Sequence, residues 1–150
     1  MRRPAPFYPP PEPGDILWCR FPKVEGIRPG PKPRPCIVSW VSDAPEAGQP
    51  YRVLVIYGTS SFRSPPRPTE LDLDPDQHRA AYQQAGLSQA TRFDLGKAVV
   101  VNYDEMYFAL APNGNQAPGP TPRLGVLHPS RYRALQDADR AVAAKGLRSY

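Results

Sequence analysis

The chain has 150 residues, 40% of them hydrophobic, and a formal net charge of +5. That length and apolar content suit one domain with a real core, and no apolar run approaches the ~18 residues that a membrane span needs. The excess of cations permits a polyanion partner such as nucleic acid without requiring one, and the opening "MRRPAPFYPPPEPGD" lacks the apolar stretch of a secretory signal, so a cytoplasmic protein is expected.

Proline is the unusual component, at 22 residues, half of them in the first 35 positions. Residues 1–13 read as an extended polyproline arm, with disorder left open, and residues 14–150 as the domain. "GDILWCRF" (14–21) is the first predicted strand, with Ile16, Trp18 and Arg20 on one face and Leu17, Cys19 and Phe21 on the other. A loop rich in proline and glycine covers 22–33. "RPCIVSWV" (34–41) is the second strand, "DAPEAGQP" (43–50) a turn, and "YRVLVIYGT" (51–59) the third strand, dense in β-branched and aromatic residues. Residues 60–69 read as loop.

"LDPDQHRAAYQQAGL" then carries helix punctuation: Asp74 as N-cap, Pro75 at the first helical position, Gln77 as the reciprocal capping partner and Gly86 as the stop. "TRFDL" (91–95) and "KAVVVNY" (97–103) are two further strand candidates, "MYFAL" (106–110) another, and "RLGVL" (123–127) a short one beyond a Pro- and Gly-rich loop. In "HPSRYRALQDADRAVAAKG", Tyr132, Leu135, Ala138 and Val142 recur at helical spacing up to a stop at Gly146. No internal repeat is visible. Strands in sequence joined by short turns, with helices later, predict a mostly antiparallel sheet, bent or barrel-like, carrying a helix.

Most familiar chemistry is missing. No phosphate-binding glycine loop, zinc spacing or nucleophile elbow occurs. Cys19 and Cys36 lack metal-type spacing and read as buried thiols, with a disulfide between them left open. His78, inside the capped helix, and His128, before Pro129, read as structural. Three elements remain: Gly14-Asp15 opening strand one, Lys32 and Arg34 flanking Pro33 at the mouth of strand two, and Gly58-Thr59-Ser60-Ser61 closing strand three. If strands two and three form a hairpin, Arg34 and Thr59 become neighbours at one end of the sheet. An Arg beside hydroxyls suits a phosphodiester, because the guanidinium can hold two phosphate oxygens and stabilise the charge that grows in the transition state. Prolines on both sides of Arg34 restrict the backbone that carries it. The same residues also suit a solvated loop that starts an edge strand.

"PGDILWCRFP", then "G…KPRPCIVSW", then "VLVIYGTSS" resemble, in that order, the PemK/MazF family of toxin ribonucleases; "TRFDLGKAVVVNY" and "RLGVLHPSRYRALQDADRAV" resemble its later strands and C-terminal helix. The resemblance spans roughly residues 13–145. It implies a mainly β fold with α elements (α+β): an antiparallel SH3-like, CcdB-type barrel with an inserted helix and a C-terminal helix. It further implies a homodimer, metal-independent cleavage of single-stranded RNA without a cofactor, and a cognate antitoxin partner. By position, Arg34 and Thr59 match the family's catalytic residues, and Arg28, Lys32, Ser60 and Ser61 become RNA-binding candidates; Asp15 matches a residue that braces strand one. The chain departs from the pattern in its stiff, basic "IRPGPKP" loop, in Tyr57-Gly58-Thr59 at the end of strand three, in a longer insert at 62–90, and in its Pro-rich start. The alternative function is a module on the same scaffold that binds nucleic acid without cutting it, or inhibits a protein target as CcdB-like proteins inhibit DNA gyrase.

Overall fold

β1 (Asp15–Cys19), β2 (Arg34–Val41) and β3 (Arg52–Thr59) form a meander in the computed structural model, each strand antiparallel to the next, where the apolar alternation places them. The structure describes residues 9–22, 29–112 and 121–146; Arg28 and residues 1–8 of the arm lie outside them. β4 (Glu70–Leu73), β5 (Thr91–Asn102) and β6 (Arg123–Val126) extend the meander into one antiparallel six-stranded sheet, in the order β4-β5-β3-β2-β1-β6. The register shifts at Ile16/Leu17, Val38/Trp40 and Ile56/Tyr57. Such bulges bend strands and raise their twist, and the sheet curls into a half-barrel. The mainly β architecture with α elements thus matches expectation at the level of class.

Strand alternation divides the core in two. Ile16, Ile37, Ile56 and Phe93 point to one face, where they meet α1 (Arg79–Gln84) through Ala81, Ala85 just past its end, and α2 (Tyr132–Ala144) through Ala138 and Val142. Leu17, Cys19, Cys36, Val38, Val53 and Val55 point to the other, beneath Tyr103 and Phe108. The Tyr103 and Phe108 rings meet edge to face with centroids 5.1 Å apart. Cys19 and Cys36 are free, buried thiols, and burial pushes the Cys19 thiol up, with a hydrogen bond to Cys36 adding to the rise. No helix among the described residues is long and apolar enough to cross a membrane.

Several elements differ from the sequence expectation. Residues 91–102 form one strand, not two. The strand is bent where Tyr57 pairs with Asp94 and Ile56 with Ala98, so Leu95–Lys97 have no counterpart in β3. The bulge is held by the Asp94 carboxylate, which accepts from the Gly96 N–H at 2.9 Å, and by the Leu95 N–H, which turns to the Thr69 carbonyl in front of β4. "MYFAL" is not a strand: it makes a single bridge, Phe108 to Cys19, and serves to plug the second core. β4 falls between the expected loop, which ends at 69, and the helix punctuation that begins at Leu73, because two inward leucines among acidic residues are too short an alternation to register as a strand.

α1 begins at Arg79, five residues after Asp74. Asp74 still caps, accepting from the Asp76 and Gln77 N–H groups at 2.8 and 3.0 Å, but it caps a preceding turn. The reciprocal partner is His78 in place of Gln77: its Nδ1 accepts from the Asp74 N–H at 3.1 Å. Gly86, at φ +71°, does end the helix. Before α2, Pro129–Arg131 make a 3-10 turn capped by His128, whose Nδ1 accepts from the Ser130 N–H at 3.1 Å. Tyr132, expected on the buried stripe of this helix, is 48% exposed, since the turn ahead of it sets the helix face by Ala138 and Val142.

Candidate functional site

At the N-terminal end of β2 the proline-bound cations meet the end of β3. The loop before them is tied down by the Gly30 N–H, which donates to the Arg20 carbonyl at 3.0 Å. The β2–β3 ladder starts at Cys36 opposite Tyr57, one pair inward of Pro35, which has no N–H to donate. Carried two residues outward, that register sets Arg34 opposite Thr59. Between them stands Gly58. A Cβ there would overlap the Pro35 carbonyl and the Phe93 ring, so only glycine lets the end of β3 close onto Pro35.

A cleft of about 270 Å³ opens at this end of the sheet. Lys32, Arg34 and Ser60 line it, together with Trp18 and the Gly86–Gln89 turn. Thr59 and Ser61 stand next to it without lining it. The Thr59 hydroxyl oxygen accepts from the Ser61 N–H at 3.1 Å, which orders the turn that presents Ser60. Of the expected site residues, the structure therefore brings Lys32, Arg34 and Ser60 together, sets Thr59 and Ser61 beside them, and leaves Arg28 outside the described residues. Asp15 is buried away from the cleft, and its carboxylate accepts from the Glu12 N–H at 2.9 Å, a brace for the start of β1.

The electrostatics of this end depend on which arginine is paired. Arg92 lies opposite Thr59 on β5 and is buried. Its Nε and Nη2 donate to the two Asp72 carboxylate oxygens at 2.7 and 2.9 Å, Nη2 also reaches the Ser64 carbonyl at 2.7 Å, and the guanidinium stacks 4.3 Å from the Phe62 ring centroid. That cation is fully used. Lys32 and Arg34 are different: the ion pairs among the described residues involve Arg92 and Arg140, and neither Lys32 nor Arg34 has one. Among the described residues no carboxylate or histidine lines the cleft. Two uncompensated cations in a concave, partly desolvated setting attract an anion.

His78 and His128 cap turns elsewhere, and burial followed by the Arg131 charge pushes the His78 imidazole down. Among the described residues no group of three His, Cys, Asp or Glu side chains could hold a metal ion. A larger cleft of about 510 Å³ lies between the sheet and α2, walled by Trp40, Leu54, Val100 and Leu135. Among the described residues Asp139 is the one charged residue in its lining, and a carboxylate does not attract phosphate.

Sequence reasoning missed Trp18 and the 86–89 turn. Trp18 carried a signal: alternation sets it on the Ile16 face, beyond the last residue that α1 and α2 cover. The turn carried none, because its place in the cleft follows from the close backbone approach of the end of α1 to β6 at Gly86 and Gly125. No protein-family model and no curated protein matches the chain.

Proposed function

We propose that the protein is an endoribonuclease of the toxin type, cleaving single-stranded RNA at the Lys32–Arg34 cleft without a metal ion. The observation that carries this reading is the pair of unpaired cations, held between prolines, beside the Ser60 hydroxyl. The RNA 2′-oxygen attacks its own phosphorus, the bond to the 5′-oxygen breaks, and the products are a 2′,3′-cyclic phosphate and a 5′-hydroxyl. Arg34 donates to two non-bridging oxygens and stabilises the extra charge of the phosphorane. Ser60 holds a further oxygen, Thr59 orders the turn behind it, and Lys32 engages a neighbouring phosphate. Arginine is not deprotonated in proteins, so protons on the attacking and leaving oxygens exchange with water. On this reading the half-barrel is of the SH3-like, CcdB type, the protein works as a cytoplasmic homodimer, and an antitoxin holds it inactive.

The lack of a histidine or carboxylate among the described lining residues also favours a second reading, in which the same site binds nucleic acid and does not cut it. One experiment separates the two. Labelled single-stranded RNA is incubated with the purified protein in excess EDTA, alongside Arg34→Ala and Arg34→Lys. Cleavage by the parent chain, a cyclic phosphate end, loss of about 10²–10³-fold in Arg34→Ala and poor rescue by Arg34→Lys support the nuclease. Full activity in Arg34→Ala, or cutting only with magnesium, overturns it. RNA bound but uncut in every preparation transfers the assignment to the binding module.

A further inference from the structure

We infer that the turn after α1 is a base-reading wall: Gln89 contacts the edge of a single unpaired base, preferring adenine, while that base stacks on Trp18. The inference rests on the reading of this cleft as an RNA site and specifies what the site selects.

The wall is held rigidly. Gly86 has φ +71°, and a Cβ on it would overlap the Leu124 carbonyl; a Cβ on Gly125 would overlap the Gln84 and Ala85 carbonyls. The end of α1 and β6 thus meet backbone to backbone, with a glycine on each side of the contact. Beyond this contact, the buried Thr91 hydroxyl donates to the Gln89 carbonyl at 2.9 Å. Gln89 is therefore anchored at its main chain, and its exposed amide makes no hydrogen bond to a described residue.

The lining is chemically divided. The cations Lys32 and Arg34 stand at the start of β2, and the rest of the lining offers the Trp18 indole on the neighbouring strand, the Leu87 side chain, a hydroxyl at Ser88 and the Gln89 amide. Phosphates take the first side. The second suits the other half of a nucleotide: aromatic rings stack on a base face, and a primary amide supplies one donor and one acceptor to a base edge. Adenine presents that complementary pair on both of its free edges, N6 with N7 and N6 with N1, whereas unpaired cytosine and uracil present it on the Watson–Crick edge alone. A base stacked on Trp18 has left any duplex, so the ligand is single-stranded, and about 270 Å³ admits a single nucleotide unit.

The test is binding of oligo(rA), oligo(rC) and oligo(rU) of equal length in EDTA, measured by fluorescence anisotropy for the parent chain and Gln89→Ala. The parent is expected to favour oligo(rA) by roughly 5- to 150-fold, the range of one good bidentate contact, and Gln89→Ala to reduce that ratio towards one. In a Trp40→Phe background, which leaves Trp18 as the only tryptophan of the sequence, oligo(rA) is expected to quench the indole emission on binding. Equal affinity of the parent for all three strands, an adenine preference that survives Gln89→Ala, or Trp18 emission unquenched by bound oligo(rA) overturns this inference and leaves the RNA site standing. A parent chain that binds none of the strands overturns both.

Discussion

Arg92 and Arg34 occupy the same end of the sheet in opposite electrostatic circumstances, and mutation should separate them. The Arg92 side chain is 6% exposed and satisfies Asp72, which has little water to replace it. Arg92→Ala strands that carboxylate, and stability measured by urea unfolding should fall by about 3 kcal/mol, the low end for a broken buried pair because Asp72 is partly solvated. Arg34 has no partner to strand, so Arg34→Ala should stay within about 0.5 kcal/mol of the parent while RNA cleavage collapses. His78 supplies a pH dependence. Burial and then the Arg131 charge hold its imidazole below the ordinary 6.5, against the pull of Asp74 and Asp72. Its Nδ1 must also stay unprotonated to accept from the Asp74 N–H. As pH falls through about 6.5 the unfolded chain takes up this proton before the folded one. The stabilisation is complete above that pH and is lost below it, until the folded pKa is passed. Thermal unfolding between pH 7 and 5 should show the decline, and His78→Gln should flatten it.

The end of β3 depends on a residue without a side chain. Gly58→Ala places a methyl against the Pro35 carbonyl and the Phe93 ring, and a strand backbone cannot move aside as a flexible side chain can. We expect a loss of roughly 1–3 kcal/mol, as for other overpacked sites. A larger fractional loss of RNA binding should accompany it, because the strain falls between Arg34 and the Thr59–Ser61 turn; chemical denaturation and anisotropy on one preparation measure both. Gly58 shows what could be read from the sequence and what could not. The first three strands and β6 were legible because their apolar residues alternate, and α2 because its apolar residues recur at helical spacing. The cation–hydroxyl pairing followed from hairpin order alone. What was not legible arises from contacts between distant segments: Asp94 folding back on Gly96 to keep β5 continuous, Phe108 leaving the sheet to cover the second core, and His78 taking the capping role that local pattern assigns to Gln77. In the site, Lys32, Arg34 and Ser60 were legible as types in order, whereas the 86–89 turn needed the Gly86–Gly125 approach, which no local pattern announces.

At the scale of the whole molecule, the question is whether RNA is held by a general positive field or by this one cleft. The net charge of +5 is modest, and Arg92 and Arg140, already in ion pairs, contribute little to an external field. Among the described residues Lys32 and Arg34 are the cations that line the cleft. Each phosphate neutralised releases counterions, so the logarithm of the binding constant for a single strand falls against log salt with a slope of about −0.7 per phosphate. Two phosphates at Lys32 and Arg34 give about −1.4 for a short oligonucleotide, and Lys32→Ala should bring the slope towards −0.7 while leaving any base preference in place, since a phosphate contact carries no sequence information. Titrations across a salt series from about 50 to 300 mM measure this directly. A slope near −3.5, the value for five phosphates, would mean that the strand spreads over the whole cationic surface, and the cleft would lose its claim to be where RNA binds. A slope near zero would mean that stacking alone holds the strand and that the unpaired cations have another anion as their ligand.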